Sequence, residues 1–464
     1  MSKTGHNTWG VVQCAAAIRL GQASSEEVVG ACLARISARE SEVGAWAFVD
    51  ADHALAQARS ADAARQAGRP LGALHGVPIG IKDIFDTWDM ATENGSPIHA
   101  GRKPSRDAHV VSRLREEGAV ILGKTVTTEF ATYHPGKTRN PHDTARTPGG
   151  SSSGSAAAVA DFMVPAALGS QTNGSMIRPA SYCGVVGYKP SFGLIGRSGM
   201  FRLSRHLDHV GVFARSVEDV ALVAEILSGH DDGDPDTRAA PKPALLEGAR
   251  TAPPVAPHFA FVKTPAWRHL APDARAAFAE LRAALGSQVE EVTLPDIFDD
   301  CLDLLPLVLD ADLAVNLGRE YRAAPALISP KLRGMIQRGR MMLATDYQRG
   351  LAARERLNAA LEDIYDNCNA ILTPAAPGEA GTPDSTGNPT FSTLWTLTGV
   401  PAVTLPLLTG QSGMPIGVQL TTRRGDDSRL LRTARWLAVR VAELGGGTPS
   451  SGRDKAKESR VKKS

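Results

Sequence analysis

Three segments of the chain carry residue types that could do chemistry together. Lys82 ends a short apolar run, Gly76-Val77-Pro78-Ile79-Gly80-Ile81. A lysine that terminates a buried apolar strand is unusual: desolvation disfavours its charged form, which is how a lysine becomes a usable base near neutral pH. Gly149-Gly150-Ser151-Ser152-Ser153-Gly154-Ser155 opens an alanine-rich helix, and Gly169-Ser170-Gln171-Thr172-Asn173-Gly174-Ser175 follows directly on a strand. Gly/Ser clusters ordinarily read as flexible linkers. Two of them separated by one helix and one strand, inside an otherwise apolar region, do not behave like linkers. Their backbone amides could instead line a site that holds an oxyanion. On residue chemistry alone, a serine–lysine hydrolase stands against the linker reading.

Two other motifs match by pattern and fail by mechanism. Gly118-Ala119-Val120-Ile121-Leu122-Gly123-Lys124-Thr125 satisfies G-x-x-x-x-G-K-[ST]. A phosphate loop must follow a strand and open a helix, whereas here the middle residues are themselves an apolar strand that follows a helix. Gly150-Ser151-Ser152-Ser153-Gly154 satisfies G-x-S-x-G, the nucleophile elbow, which would make Ser152 the nucleophile. That elbow needs a buried strand directly before it, and Asp143-Thr144-Ala145-Arg146-Thr147-Pro148-Gly149 cannot be one. No H-E-x-x-H spacing and no C-x-x-C pair occurs, so neither a metal nor an organic cofactor is expected. Asp231, Asp232, Asp234 and Asp236 lack EF-hand spacing and read as a solvated loop.

The elements that must position these residues follow an alternating pattern. Ser24 and Glu27 form a capping box ahead of an amphipathic helix over 24–40, and an alanine-rich helix covers Ala51 to Gln66. Asp107 is placed to cap a helix that runs to Glu117 and stops at Gly118, followed by a strand over Ala119–Leu122. Ala156–Ala160 reads as helix, Val164–Leu168 as strand, and Ser216 caps a helix that ends near Leu227. Residues 229–257 are rich in Gly, Asp and Pro and read as a long surface connection, after which Phe259–Val262 and Asp273–Leu285 resume as strand and helix. Such alternation argues for an α/β fold.

Composition bounds the rest. The chain has 464 residues, 42% of them hydrophobic and 22% charged, which is enough to bury a large core. Fifty-one Lys+Arg against 49 Asp+Glu leave a formal charge of +2, which argues against a nucleic-acid partner. Five scattered cysteines are not a disulfide framework and fit a reducing compartment. The N-terminus does not read as a secretory signal, and no run of about 18 apolar residues suggests a membrane span. A cytoplasmic protein without membrane association is expected. The tail from Arg453 to Ser464 is polar and basic, and 446–464 is expected to be disordered.

The Gly/Ser stretch from Thr147-Pro148-Gly149 through Ser175 resembles the amidase signature family, whose hallmark is P-G-G-S-S-x-G-S followed by G-T-x-T-x-G-S, with the same spacing from Ser151 to Ser175. Gly76 to Asp83 resembles its lysine segment. Gly187-Tyr188-Lys189-Pro190-Ser191, Gly399-Val400-Pro401-Ala402 and Met414-Pro415-Ile416-Gly417-Val418-Gln419 resemble its later blocks, so the likeness spans most of 22–440. The resemblance implies one α/β domain over 1–445, built on a mixed sheet of about eleven strands covered on both faces by helices. It also implies a Ser-cisSer-Lys mechanism, with Ser175 as nucleophile, Lys82 as base and Ser151, in a cis peptide, relaying the proton. Thr172, Asn173 and Gly174, with the amide of Ser175, would form the oxyanion hole, and Ser152 would support the network.

The sequence departs from the commonest family pattern at Gln171, which replaces an Asp, at Asn173, which replaces a Gly, and in the order Met176-Ile177-Arg178-Pro179-Ala180. This form is similar to a malonamidase-type branch, which shares the look of Asn140-Pro141-His142 and in which the arginine three places past the nucleophile holds a substrate carboxylate. Arg178 is therefore a candidate substrate-binding residue; the bland alternative is an arginine paired with a scaffold Asp or Glu. Tyr133 and His134, in the loop before the Gly/Ser stretch, are candidates for the acyl pocket. The leading expectation is a free-standing amidase acting on a small carboxylic amide, with a malonamate-like substrate as the finer reading. The alternatives are the amidase subunit of a tRNA-dependent amidotransferase, against which Gln171 and Arg178 weigh, and an esterase using the same site. Family members are often homodimers, although nothing in this sequence marks a dimer surface.

Overall fold

The computed structural model describes residues 5–445, so the expected basic tail over 446–464 lies outside the described residues. Eleven strands form one mixed sheet: β1 (Trp46–Val49), β2 (Pro78–Lys82), β3 (Val120–Thr125), β4 (Ala166–Gln171), β5 (Val186–Lys189), β6 (His209–Ala214), β7 (Phe259–Val262), β8 (Val289–Val292), β9 (Ala370–Pro374), β10 (Ala402–Thr409) and β11 (Pro415–Thr421). Their order is β1-β3-β2-β4-β6-β5-β10-β11-β9-β7-β8. β2 runs parallel to both β3 and β4, while β4–β6, β5–β10 and β10–β11 are antiparallel. Every residue of β2, β3, β4 and β6 is buried, as expected of strands covered on both faces. The apolar packing divides accordingly into two large clusters, one including Val29, Trp46, Ala157 and Phe213, the other including Ile79, Ile81, Leu168 and Val212.

Local signals account for most boundaries. Ser24 accepts from the Glu27 amide at 3.0 Å while Glu27 accepts from the Ser24 amide at 2.8 Å, opening the helix Ser25–Val43. Ser216 caps Val217–Leu227 by accepting from the Asp219 amide. Asp107 behaves differently from expectation. The helix His109–Glu116 starts without a side-chain cap, because Asp107 instead accepts from the Trp88 amide at 3.0 Å and pairs with Arg115 at 2.9 Å.

The segment 229–257 is also more structured than its composition suggests. It contains the helix Leu245–Arg250, and Asp231 and Asp234 are buried rather than solvated. Asp234 grips Arg197 at 2.7 Å, and Asp231 accepts from the Ser198 amide at 3.0 Å, so protein donors take the place of water. Neither P-loop geometry nor a nucleophile elbow occurs at the two pattern matches. Lys124 lies inside β3 with its ammonium buried against the Phe85 carbonyl at 2.8 Å, and Ser152 follows coil.

Candidate active site

The site lies beyond the carboxyl ends of the parallel strands β2 and β4, where open α/β sheets place their ligands. Lys82 is the last residue of β2, and β4 ends at Gln171. The helix Ser153–Ala160 brings its first turn to the same place. Glycine makes the approach possible. A Cβ on Gly154 would fall 2.2 Å from the Ala45 carbonyl oxygen, and one on Gly169 would fall 2.6 Å from Met176 Sδ and 2.9 Å from Ser152 Oγ. The Gly/Ser stretches are thus close-packing surfaces, with Ser151, Ser152, Ser153 and Ser155 all buried.

Lys82 is fully buried and donates to Ser151 Oγ at 2.7 Å and to Ser170 Oγ at 2.8 Å. Burial pushes its pKa well below the ordinary lysine value, and the Asp208 carboxylate partly opposes that shift. The Gly150–Ser151 peptide is cis. Ser152 Oγ donates to the Ser170 carbonyl at 3.1 Å and accepts from the Ser170 amide at 3.2 Å, which ties the Ser151 turn to β4. Ser175 is 9% exposed, and its hydroxyl has no hydrogen-bond partner among the described residues. It borders a small cavity of about 20 Å³ with Tyr133, Thr172, Asn173 and Met335. The amides of Asn173, Gly174 and Ser175 have no acceptor among the described residues, so these donors are free for an oxyanion.

The loop that carries those amides is held from its side chains. Gln171 Oε1 accepts from the Met176 and Ile177 amides at 2.9 and 3.1 Å, and its Nε2 donates to Thr396 Oγ1 at 2.9 Å. The departure from the family pattern at this position is therefore a brace: an amide can accept from the turn and donate to Thr396 at once, which a carboxylate cannot. Thr172 Oγ1 donates to Asp208 at 2.6 Å, Asn173 Nδ2 donates to the Tyr133 hydroxyl at 3.0 Å, and Thr393 donates to Asn173 Oδ1 at 2.8 Å. Asp208 also accepts from the Leu203 and Ser204 amides, yet burial raises its carboxyl to about 6.

Arg178 sits in the short helix Ile177–Cys183, 1% exposed. Its Nη2 donates to the Gly150 carbonyl at 2.6 Å, while Nε and Nη1 are buried without a partner. Among the described residues no carboxylate pairs with it, and burial lowers its pKa. The scaffold ion pair that the sequence left open does not form there.

Of the two loop candidates, the structure brings Tyr133 to the site and leaves His134 out. Phe130 and Ala131 take positive φ (44° and 54°) and turn the chain so that Tyr133 lines the cavities while His134 is exposed at the surface. A larger cavity of about 350 Å³, walled by Leu305, Leu309 and Met335 with Lys331 and Asp310, shares Tyr133 and Asn173 with the small one. Sequence reasoning missed Ser170, Asp208, Thr393 and Thr396. Ser170 lies within a quoted motif, where its position on β4 could have marked it as a neighbour of Lys82. The other three carry no local signal at all.

Comparisons with known proteins agree with this geometry. The Amidase family model matches residues 27–431. A glutamyl-tRNA(Gln) amidotransferase subunit from Anaeromyxobacter sp. (strain K) is 35% identical, over 94% of this chain and 96% of its own length. Among solved structures, a chain from a vestigial protein complex tied to the origins of an s-triazine catabolic enzyme superposes with a TM-score of 0.86 at 29% identity, covering 95% of this chain and 99% of that one. Native peptide amidase from Stenotrophomonas maltophilia gives 0.81 at 27% identity, covering 95% and 97%. No helix among the described residues is long and apolar enough to cross a membrane. The chain belongs to the amidase family, as a hydrolase of carbon–nitrogen bonds.

Proposed function

We propose that the protein cleaves carboxylic amides through an acyl-enzyme on Ser175, with Lys82 as base and Ser151 as relay. The direct contact between the desolvated Lys82 amine and Ser151 Oγ carries this reading. With Lys82 neutral, the Ser175 proton passes to Ser151 Oγ as the Ser151 proton passes to Lys82, while Ser175 Oγ bonds the amide carbon. The amides of Asn173, Gly174 and Ser175 hold the oxyanion, and Thr172, through Asp208, holds their loop. Collapse breaks the C–N bond as the proton returns from Lys82 through Ser151 to the leaving nitrogen. Water then attacks the ester by the same route. Fluorophosphonate labelling with peptide mass spectrometry tests this: label on Ser175 that fades in Lys82→Ala is expected, and label on Ser152 would sink it.

For the substrate, the unpaired, buried Arg178 beside Gly150 favours an amide that also carries a carboxylate, as in the malonamidase-type reading. Arg178→Ala should lose the preference for anionic over neutral amides, and an unchanged preference would remove the carboxylate from the account. A second reading is favoured by the relatives. The glutamyl-tRNA(Gln) amidotransferase subunits are the better match at the level of sequence, one of them over nearly the whole chain. In that case the protein works with partner subunits. Ammonia release by the purified chain alone supports the free-standing amidase; co-purifying subunits, with little release in their absence, support the other.

A further inference from the structure

Away from Ser175, five basic groups converge on one ring. The guanidinium carbons of Arg354, Arg197 and Arg424 lie 4.4, 4.8 and 5.4 Å from the centroid of Phe192. The imidazole of His209 meets the same ring edge-on at 5.4 Å. Lys189, at the end of β5, is fully buried and close enough to feel Arg354 and Arg424. Burial, then mutual repulsion, lowers Arg354 to about 10 and Lys189 to about 7, and holds His209 well below the usual imidazole value.

The nearby acids do not neutralise this group. Asp234 and Asp236 are taken by Arg197 at 2.7 and 2.6 Å. Asp427 accepts from Tyr188 and from the Ser191 amide at 2.9 Å. The other cations have only backbone oxygens: Arg354 Nε on Leu397 at 2.9 Å and Nη2 on His206, Arg424 Nη2 on Phe192 at 3.0 Å, and Lys189 on Pro190 and Val400. His209 is 3% exposed; its Nδ1 meets the Leu207 carbonyl at 2.7 Å, and its Nε2 is buried with no partner. Beside them opens a cavity of about 210 Å³ that Arg354, His206, Leu207 and Leu397 line, together with the exposed Glu355.

We propose that this basic pocket around Phe192 binds a phosphate-type oxyanion between Arg354 and Arg424. The planar guanidinium fork suits a tetrahedral oxyanion, and a divalent anion relieves repulsion that a cluster of unpaired cations otherwise keeps. The cavity has room beyond a bare ion, so the anion can be free phosphate or the end of a phosphate monoester.

Titration of the full chain with inorganic phosphate, against chloride at matched ionic strength, tests the site by calorimetry and by Tm. Saturable binding with a rise in Tm is expected, weakened about tenfold by Arg354→Gln or Arg424→Gln, the loss of one charge-assisted contact. Arg424 is exposed, so R424Q keeps the test decisive if R354Q does not fold. Glycerol 1-phosphate distinguishes the sources: tighter binding than phosphate indicates a monoester, equal binding the free anion. Absence of saturable binding by both, unchanged affinity in R424Q, or binding lost in Arg178→Gln would each overturn the proposal.

Discussion

At the scale of single residues, the site turns on which proton sits on Lys82. Burial depresses its pKa, so the neutral base is present over a pH range in which an exposed lysine would be charged. Activity requires that neutral form, so kcat/KM should climb as pH rises through the depressed value and then level off. Lys82→Arg keeps the charge at every accessible pH and should remove the plateau, which a pH–rate profile reads directly. Asp208 adds a second titration. Its folded pKa, raised to about 6, lies above the ordinary carboxylate value, so its protonated form favours the folded state. That contribution is complete below about pH 4 and is lost as pH rises through about 6. Denaturant unfolding of Asp208→Asn across this interval should show a flatter dependence than the parent, and matching slopes would mean that Asp208 does not titrate as described.

At the scale of elements, two short pieces set the geometry: the end of β4 with its following loop, and the first turn of Ser153–Ala160. Gln171 braces the loop through three hydrogen bonds, two to amides and one to Thr396. Gln171→Leu leaves those buried partners unsatisfied and should cost about 1–3 kcal/mol for each uncompensated group, with kcat falling more than KM changes. Gly169 is the other test. A methyl there meets Met176 Sδ and Phe213 Cε2 at 2.6 Å, so Gly169→Ala should destabilise the fold by about 1–3 kcal/mol in urea unfolding.

At the scale of the molecule, the eleven-stranded sheet needs its long excursions tied down. The 229–237 segment returns to the strand ends through Arg197, whose side chain bonds Asp234 and Asp236 and also the carbonyls of Arg205 and Asp208. One arginine thus links the segment after Leu227 to the residue whose charge acts on Lys82. Asp234→Ala leaves the Arg197 charge underpaired in a buried place, and a loss of about 3–5 kcal/mol is expected for a broken buried pair. The Arg197 pairing lowers the Asp234 pKa against its burial. The stability it brings is present above the ordinary carboxylate pKa and is lost as pH falls through the lower folded value, so the parent and Asp234→Ala curves should converge in acid. Curves that stay parallel would show that the link does not contribute.

Much of this was legible along the chain. Caps at Ser24 and Ser216, the strand at Phe259–Val262, and the paired Gly/Ser stretches around a single helix are local patterns, set by hydrogen bonds within a turn or by side-chain alternation, and residue order alone determines them. The same holds for Lys82 at the end of an apolar run, because strand burial follows from neighbouring residues. Only the tertiary structure decided which groups meet. Lys82 reaches Ser151 and Ser170 across 69 and 88 residues, and Gln171 reaches Thr396 across 225. The empty side of Arg178 and the basic ring around Phe192 are likewise products of packing. Asp107 lost its capping role, and Asp231 and Asp234 lost their solvent, for one physical reason: a buried donor elsewhere in the chain competes for the same carboxylate, and no window of sequence contains both partners.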